Sequence, residues 1–230
     1  MLSVIAIVPS APVLVPELAG AATVEVADVA AATLAAAALL PGRWVIVGTG
    51  SADDEFGPDA VGTFAGFGAD VRVRLSPPGG DSLEPRELPL CALLGGWVRG
   101  QAQPQASAGV RVYRGDHDVD TALSRGRELR AELDRLPEPI GALVVADGAN
   151  TLTPAAPGGH DPDNAAAQEA LDDALAGGDV TGLIRLPHQI LGRVAFQVLA
   201  GLAGPGPRST KELYRGAPYG VGYFAGAWQL

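Results

Sequence analysis

Leu2-Ser-Val-Ile-Ala-Ile-Val8 is a nearly unbroken apolar run, and Pro9 ends it. A strand with water on one face alternates apolar and polar residues, whereas a strand covered on both faces has no reason to. The run therefore predicts a central strand with helices above and below it. Trp44-Val-Ile-Val47 and Ile140-Gly-Ala-Leu-Val-Val145 read the same way. Between the first two lies Ala21 to Leu40, so rich in alanine that a helix is expected there, stopped by Pro41-Gly42.

Weaker segments extend the pattern. Asp70 to Leu75 alternates and is expected to be an edge strand, and Gly109 to Tyr113 is a further short strand. Pro77 to Pro89 is rich in proline and glycine and reads as a loop, with a helix expected over Leu90 to Val98. Asp118 to Leu136, Asp163 to Ala176 and His188 to Leu202 complete the helices. The tail, Tyr214 to Leu230, reads as a closing strand or a packed glycine-rich loop. Strands alternating with helices define an α/β class, here a single domain over 1–230 with a largely parallel or mixed central sheet flanked by helices.

The bulk composition narrows the function. The chain has 230 residues, 47% of them apolar, and a formal charge of −10. A surface of that sign repels a nucleic-acid backbone or an anionic membrane, so neither is an expected partner. No apolar run reaches the ~18 residues of a membrane helix, and the start lacks the basic flank of a signal peptide. The cytoplasm is the expected location. Cys91 is the only cysteine, which excludes an internal disulfide and a cysteine-rich zinc site.

Ligands of open α/β sheets settle at the carboxyl ends of the strands. Three such ends are polar here: Pro9-Ser10-Ala11-Pro12, Gly48-Thr-Gly-Ser-Ala-Asp-Asp54 and Asp147-Gly-Ala-Asn-Thr151. The second approaches a dinucleotide loop, but Asp53 stands where the third glycine belongs, and a turn is the better reading. A nucleophile elbow and a Walker A loop are both missing. Asp116-His-Asp-Val-Asp120 offers alternating oxygens like a calcium loop, yet capping of the next helix by Asp118 or Asp120 explains it more simply. His117, His160 and His188, each taken alone, read as structural or solvent-exposed.

Taken in order, four segments resemble one family, the class III extradiol ring-cleavage dioxygenases of the LigB type with their MEMO-like relatives, and in particular an actinobacterial branch. They are Val8-Pro-Ser-Ala-Pro-Val-Leu-Val-Pro-Glu17, Ala146-Asp-Gly-Ala-Asn150, Gly158-Gly-His-Asp-Pro162 and Ala217-Pro-Tyr-Gly-Val-Gly-Tyr-Phe224. The resemblance implies one α/β domain holding a non-haem ferrous ion by two histidines and a glutamate. It implies a further histidine as acid/base while dioxygen opens a catechol ring. Where the resemblance would put the first ligand histidine this chain has Ser10. It has Gly48-Thr-Gly-Ser51 in place of the second, and Asn150 in the acid/base region. Hydroxyl and amide groups are poor ligands for ferrous iron.

The reading is therefore a LigB-like, oxidoreductase-related protein without the usual iron site, expected to carry no cofactor and to bind a small molecule. Ser10, Thr49, Ser51 and Asp53 are the candidate ligand-binding residues, and Asp147, Asn150 and His160 the candidates for chemistry. One alternative is a metal-dependent oxidoreductase holding Fe2+ or another divalent metal by His160, His188 and a carboxylate such as Asp53 or Asp147. Another is an interaction subunit or homo-oligomer using the apolar tail around Tyr219, Tyr223, Phe224 and Trp228, weighed against simple core packing of a last strand.

Overall fold

The computed structural model describes residues 1–77 and 84–230. Its strands are β1 (Leu2–Val8), β2 (Arg43–Gly50), β3 (Asp54–Phe56), β4 (Val61–Thr63), β5 (Arg72–Arg74), β6 (Ser107–Arg114), β7 (Ile140–Val145), β8 (Ser209–Gly216) and β9 (Tyr223–Gln229). Its helices are α1 (Pro16–Ala19), α2 (Ala27–Ala37), α3 (Leu90–Ala102), α4 (Val119–Asp134), α5 (Asn164–Gly177), α6 (Val180–Ile184) and α7 (Arg193–Ala203).

Seven strands form one mixed sheet in the order β3-β6-β2-β7-β1-β9-β8. The inner four, β6, β2, β7 and β1, run parallel. β3 closes one edge, while β9 and β8 close the other, all antiparallel to their neighbours. The doubly covered strands behave as their composition demands. Ile5, Ala6, Ile7 and Val8 have no solvent contact, and every residue of β7 is buried. Alternate residues go to opposite layers. Val4, Ala6 and Val8 pack with α2 and α3, whereas Ile5 and Ile7 pack with α4 to α7.

Small residues set the helix spacing on the second face. α7 is buried from Val194 to Ala203, so it touches protein on all sides. It crosses α4 where Gly126 and Gly201 meet, and a Cβ on Gly126 would run into the Val198 carbonyl. The backbones can approach this closely only because both side chains are absent.

Several expected elements change in extent or place. The helix expected over 21–40 begins only at Ala27, after a 3-10 turn at Gly20–Thr23. Alanine favours a helix without saying where it starts, and Val26, its N-cap, has no side-chain oxygen to mark the end. The strand at 44–47 extends to Gly50, because its partner β6 continues beside it to Arg114. β5 is not an edge of the main sheet but pairs with β4 in a separate two-stranded sheet. The helix expected from His188 begins at Arg193, with His188 in the preceding turn and the short α6 upstream. The tail is a strand, β9, and its partner β8 was not expected as a strand at all. Of the loop expected over 77–89, residues 78–83 lie outside the described residues.

Gly126→Ala tests the helix crossing. The obstacle to the new methyl is backbone, which cannot rotate away, so a loss of about 3 kcal/mol is expected, the upper end of overpacking costs. Urea unfolding followed by circular dichroism measures it.

Candidate functional site

β1, β7 and β2 are neighbours and parallel, so their carboxyl ends emerge side by side. Just past β1, the Ser10 backbone N–H donates to Asp147 Oδ1, just past β7, at 2.7 Å. The two strand ends anticipated from sequence are thus in direct contact. Along β7, Leu143 and Val145 pack toward α2 and α3, and alternation carries Asp147 to the same face.

That face is shaped by glycines. A Cβ on Gly48 would collide with Cys91, so α3 can settle over the end of β2 only because position 48 has no side chain. Two residues further, Gly50 and Ser51 line a cavity of about 330 Å³ shared with Asp54, Phe56, Leu88 and Pro89. Its apolar walls, Phe56 and Leu88, belong to the core layer beneath α2 and α3. Its volume is at the lower end of the range that small-molecule sites occupy.

The backbone of the third strand end is held from two sides. Gly148 N–H donates to the Gly222 carbonyl and Gly222 N–H to the Ala149 carbonyl, both at 2.8 Å. This lays the segment before β9 along the segment after β7. From α5, Gln168 Oε1 accepts the Ala149 N–H at 2.8 Å, while its Nε2 donates to Asp172 Oδ1 at 2.9 Å. Gln168 is buried, and a Cβ on either Gly148 or Gly222 would overlap it. Burial without a cationic neighbour of comparable weight pushes the Asp172 carboxyl up to about 6.

Asp147 is the electrostatic centre of the site. Burial pushes its carboxyl up to about 7, opposed only by the Ser10 hydrogen bond. Among the described residues, no arginine, lysine or histidine pairs with it. Tyr223, the first residue of β9, is buried nearby, and its phenol is pushed up by burial and by the Asp147 charge.

The remaining candidates separate from this centre. Asn150 packs its side chain over Gly158, where a Cβ would not fit, and its carbonyl accepts the Gly158 N–H at 2.9 Å. It braces its own loop. Thr49 lies in β2 between Gly48 and Gly50, hence on the opposite face of the sheet. Asp53 also belongs to that side. It accepts from the Arg114 N–H at 2.8 Å, contacts His117 Nε2 at 2.7 Å and reaches Arg125 at 3.3 Å, which holds its carboxyl below the ordinary value. It borders a second cavity of about 370 Å³ with Tyr113, Arg125 and Glu128. Neither cavity is lined by Ser10, Asp147 or Asn150.

His160 and His188 are both exposed. Among the described residues no three histidines, cysteines or carboxylates are placed to share a metal ion. The residues present do not fit the ferrous site that the sequence resemblance implies. Asp118 caps α4 through the Thr121 N–H at 2.8 Å, as helix capping required. Tyr223, Phe224 and Trp228 are core residues of β9 and offer no surface to a partner.

Sequence reasoning missed Gln168, Tyr223 as a site residue, and the pairing of His117 with Asp53. For Gln168 a signal existed. Asn164, Gln168 and Asp172 form a polar row at four-residue spacing in an alanine-rich helix, and all three are buried.

The fold is that of an α/β protein with a mixed seven-stranded sheet, and the candidate site lies at its strand ends around the Asp147 carboxyl. No protein-family model matches the chain, and no curated protein matches it. Among solved structures, an uncharacterized protein from Escherichia coli K12 is similar, with a TM-score of 0.63 at 11% identity, over 98% of this chain and 99% of that one. At that identity the likeness carries the fold alone. Among the described residues, no helix is long and apolar enough to cross a membrane.

A pH dependence follows from Asp147. In the unfolded chain the group titrates near the ordinary value of ~3.9. Between there and about 7 the folded protein keeps a proton that the unfolded chain has released, so stability falls as pH rises through this window. Asp147→Asn keeps an acceptor for the Ser10 N–H and removes the titration. Relative to that variant, the natural chain is expected to lose on the order of 2–4 kcal/mol between pH 4 and pH 8. Denaturant titrations at both pH values measure it, and Asp172 contributes equally to both proteins.

Proposed function

We propose that this chain is a small-molecule-binding α/β protein related to the LigB-type extradiol dioxygenases, with the strand-end site kept and the iron ligands replaced. One observation carries the reading. Asp147 stands at the end of the central strand β7, partly open to solvent, with its carboxyl buried enough to titrate near neutrality and without a cationic partner among the described residues. An unpaired carboxyl in that position costs stability, and such costs concentrate where a ligand or reaction repays them.

Supporting features surround it. The site faces the same helical layer as the 330 Å³ cavity at Gly50 and Ser51, so a ligand could span the ends of β7 and β2. Gln168 fixes the loop backbone beside Asp147, and rigid backbone is what a recognition site requires. The segments of family resemblance converge here, since Ser10 and Asp147 touch and Gly222 bonds to both Gly148 and Ala149. The substitution of the implied iron ligands by Ser10 and Gly48 to Ser51 points to binding rather than ring cleavage.

Two measurements test the reading. After anaerobic exposure to ferrous iron and desalting, elemental analysis is expected to find far less than one iron per chain, and no oxygen uptake with catechol. Stoichiometric, chelator-resistant iron would overturn it. In a thermal-shift screen of small polar and aromatic compounds, the ligands found are expected to lose about tenfold or more in affinity in the double variant Asp147→Asn/Ser51→Ala, equivalent to ~1.4 kcal/mol. Ligands indifferent to both changes would place the function elsewhere.

A further inference from the structure

We propose that the free edge of β5 and the last turns of α3 form a second ligand site, one that takes a phosphate group. The site is separate from Asp147 and does not depend on it. A cavity of about 230 Å³ lies there, bordered among others by Arg72 and Arg74 of β5, Arg99 and Gly100 of α3, and Glu17 of α1. The chain carries 16 basic residues against 26 acidic ones, yet this cavity gathers three guanidiniums and one carboxylate. Six arginines elsewhere are paired with acids, whereas none of these three forms an ion pair among the described residues.

Arg99 is the built part of the site. It is 5% exposed, and its Nε donates to the Arg74 carbonyl at 2.9 Å. Its Nη1 donates to the carbonyls of Pro104 and Ala106 at 2.8 and 3.0 Å. A guanidinium is planar, so anchoring two nitrogens fixes where the third one points. That third nitrogen, Nη2, donates to none of the described residues. Burial pushes the group below its usual pKa, and no carboxylate acts against that. The edge of β5 adds backbone donors. Phe64 N–H donates to the Val71 carbonyl at 3.0 Å and Leu75 N–H to the Ala60 carbonyl at 3.2 Å, so alternate residues bond toward β4. The residues between them turn their backbone groups to the opposite edge, where the Arg74 carbonyl meets Arg99. The N–H groups of Arg72 and Arg74 share that edge, and neither meets an acceptor among the described residues. Donors from a strand edge and from three guanidiniums suit the three oxygens of a phosphate better than the two of a carboxylate. Glu17 and the negative pole of the α3 C-terminus act against an anion, and three full positive charges outweigh them.

Inorganic phosphate is the probe, and at pH 8 it carries close to two negative charges. In 15N NMR titrations of the full chain at constant ionic strength, it is expected to bind saturably with a Kd of about 1 mM or tighter. The amides of Arg72, Arg74 and Gly100 should shift with it. Acetate, with two oxygens and one charge, should bind about tenfold more weakly. The double variant Arg72→Gln/Arg74→Gln is expected to lose about tenfold or more in phosphate affinity. Neither side chain makes a hydrogen bond or ion pair among the described residues, so the fold is kept, as circular dichroism checks. Glu17→Gln should strengthen phosphate binding about twofold. Arg185→Gln removes an exposed arginine outside the cavity and should change nothing. No saturable shift up to about 50 mM phosphate would overturn the proposal. So would equal affinity for acetate, binding that survives the double variant, or a loss in Arg185→Gln as large as in that variant.

Discussion

A sheet with helices on both faces leaves its inner strands no side turned to water, and that constraint organises the whole molecule. β1 and β7 are apolar along their length because each residue, up or down, enters one of two core layers. Polar groups that a ligand could use are thereby confined to the strand ends. Because β1, β7 and β2 run parallel, those ends coincide on one rim. Rim geometry depends in turn on how tightly the helices seat. Gly48 lets α3 descend onto the end of β2, and the Gly126 and Gly201 crossing lets α7 and α4 lie close on the opposite face.

On that rim the backbone satisfies itself and one carboxyl does not. Ala149 and Gly148 find partners in Gln168 and Gly222, and Ser10 finds Asp147. Asp147 receives a single backbone donor, which opposes only part of what burial costs the ionised form. Asp53, past the end of β2, shows the contrast. With Arg114, His117 and Arg125 around it, its carboxyl is held below the ordinary value and serves to tie the turn after β2 to the loop before α4. The two acids differ both in burial and in charged neighbours: Asp53 is exposed and paired, whereas Asp147 is largely buried and has no cationic partner among the described residues.

Much of the architecture was legible because periodicity reports burial. The runs at 2–8 and 140–145 matched β1 and β7 residue for residue, since a strand buried on both faces has a composition nothing else explains. What escaped was set by partners distant in sequence. β8 carries Lys211, Glu212 and Arg215 and looks like a loop until β9 pairs with it. β3 and β4 are three residues each, too short for any pattern to show. At the site, Ser10 and Asp147 were legible because each follows an apolar strand. Thr49 and Asp53 were not separable from them by sequence, since which face a turn residue takes depends on where the turn folds. Gln168 announced itself only through its spacing with Asn164 and Asp172, which an alanine-rich helix made easy to pass over.

The account stands or falls on the state of the Asp147 carboxyl, and its side-chain 13C resonance, assigned by its loss in Asp147→Asn, reports that state directly. In the ligand-free chain the resonance is predicted to titrate near neutrality, at about 7. A midpoint near the ordinary ~3.9 would mean that the carboxyl is solvated or paired. That would contradict the claim of an uncompensated acid at the end of the central strand.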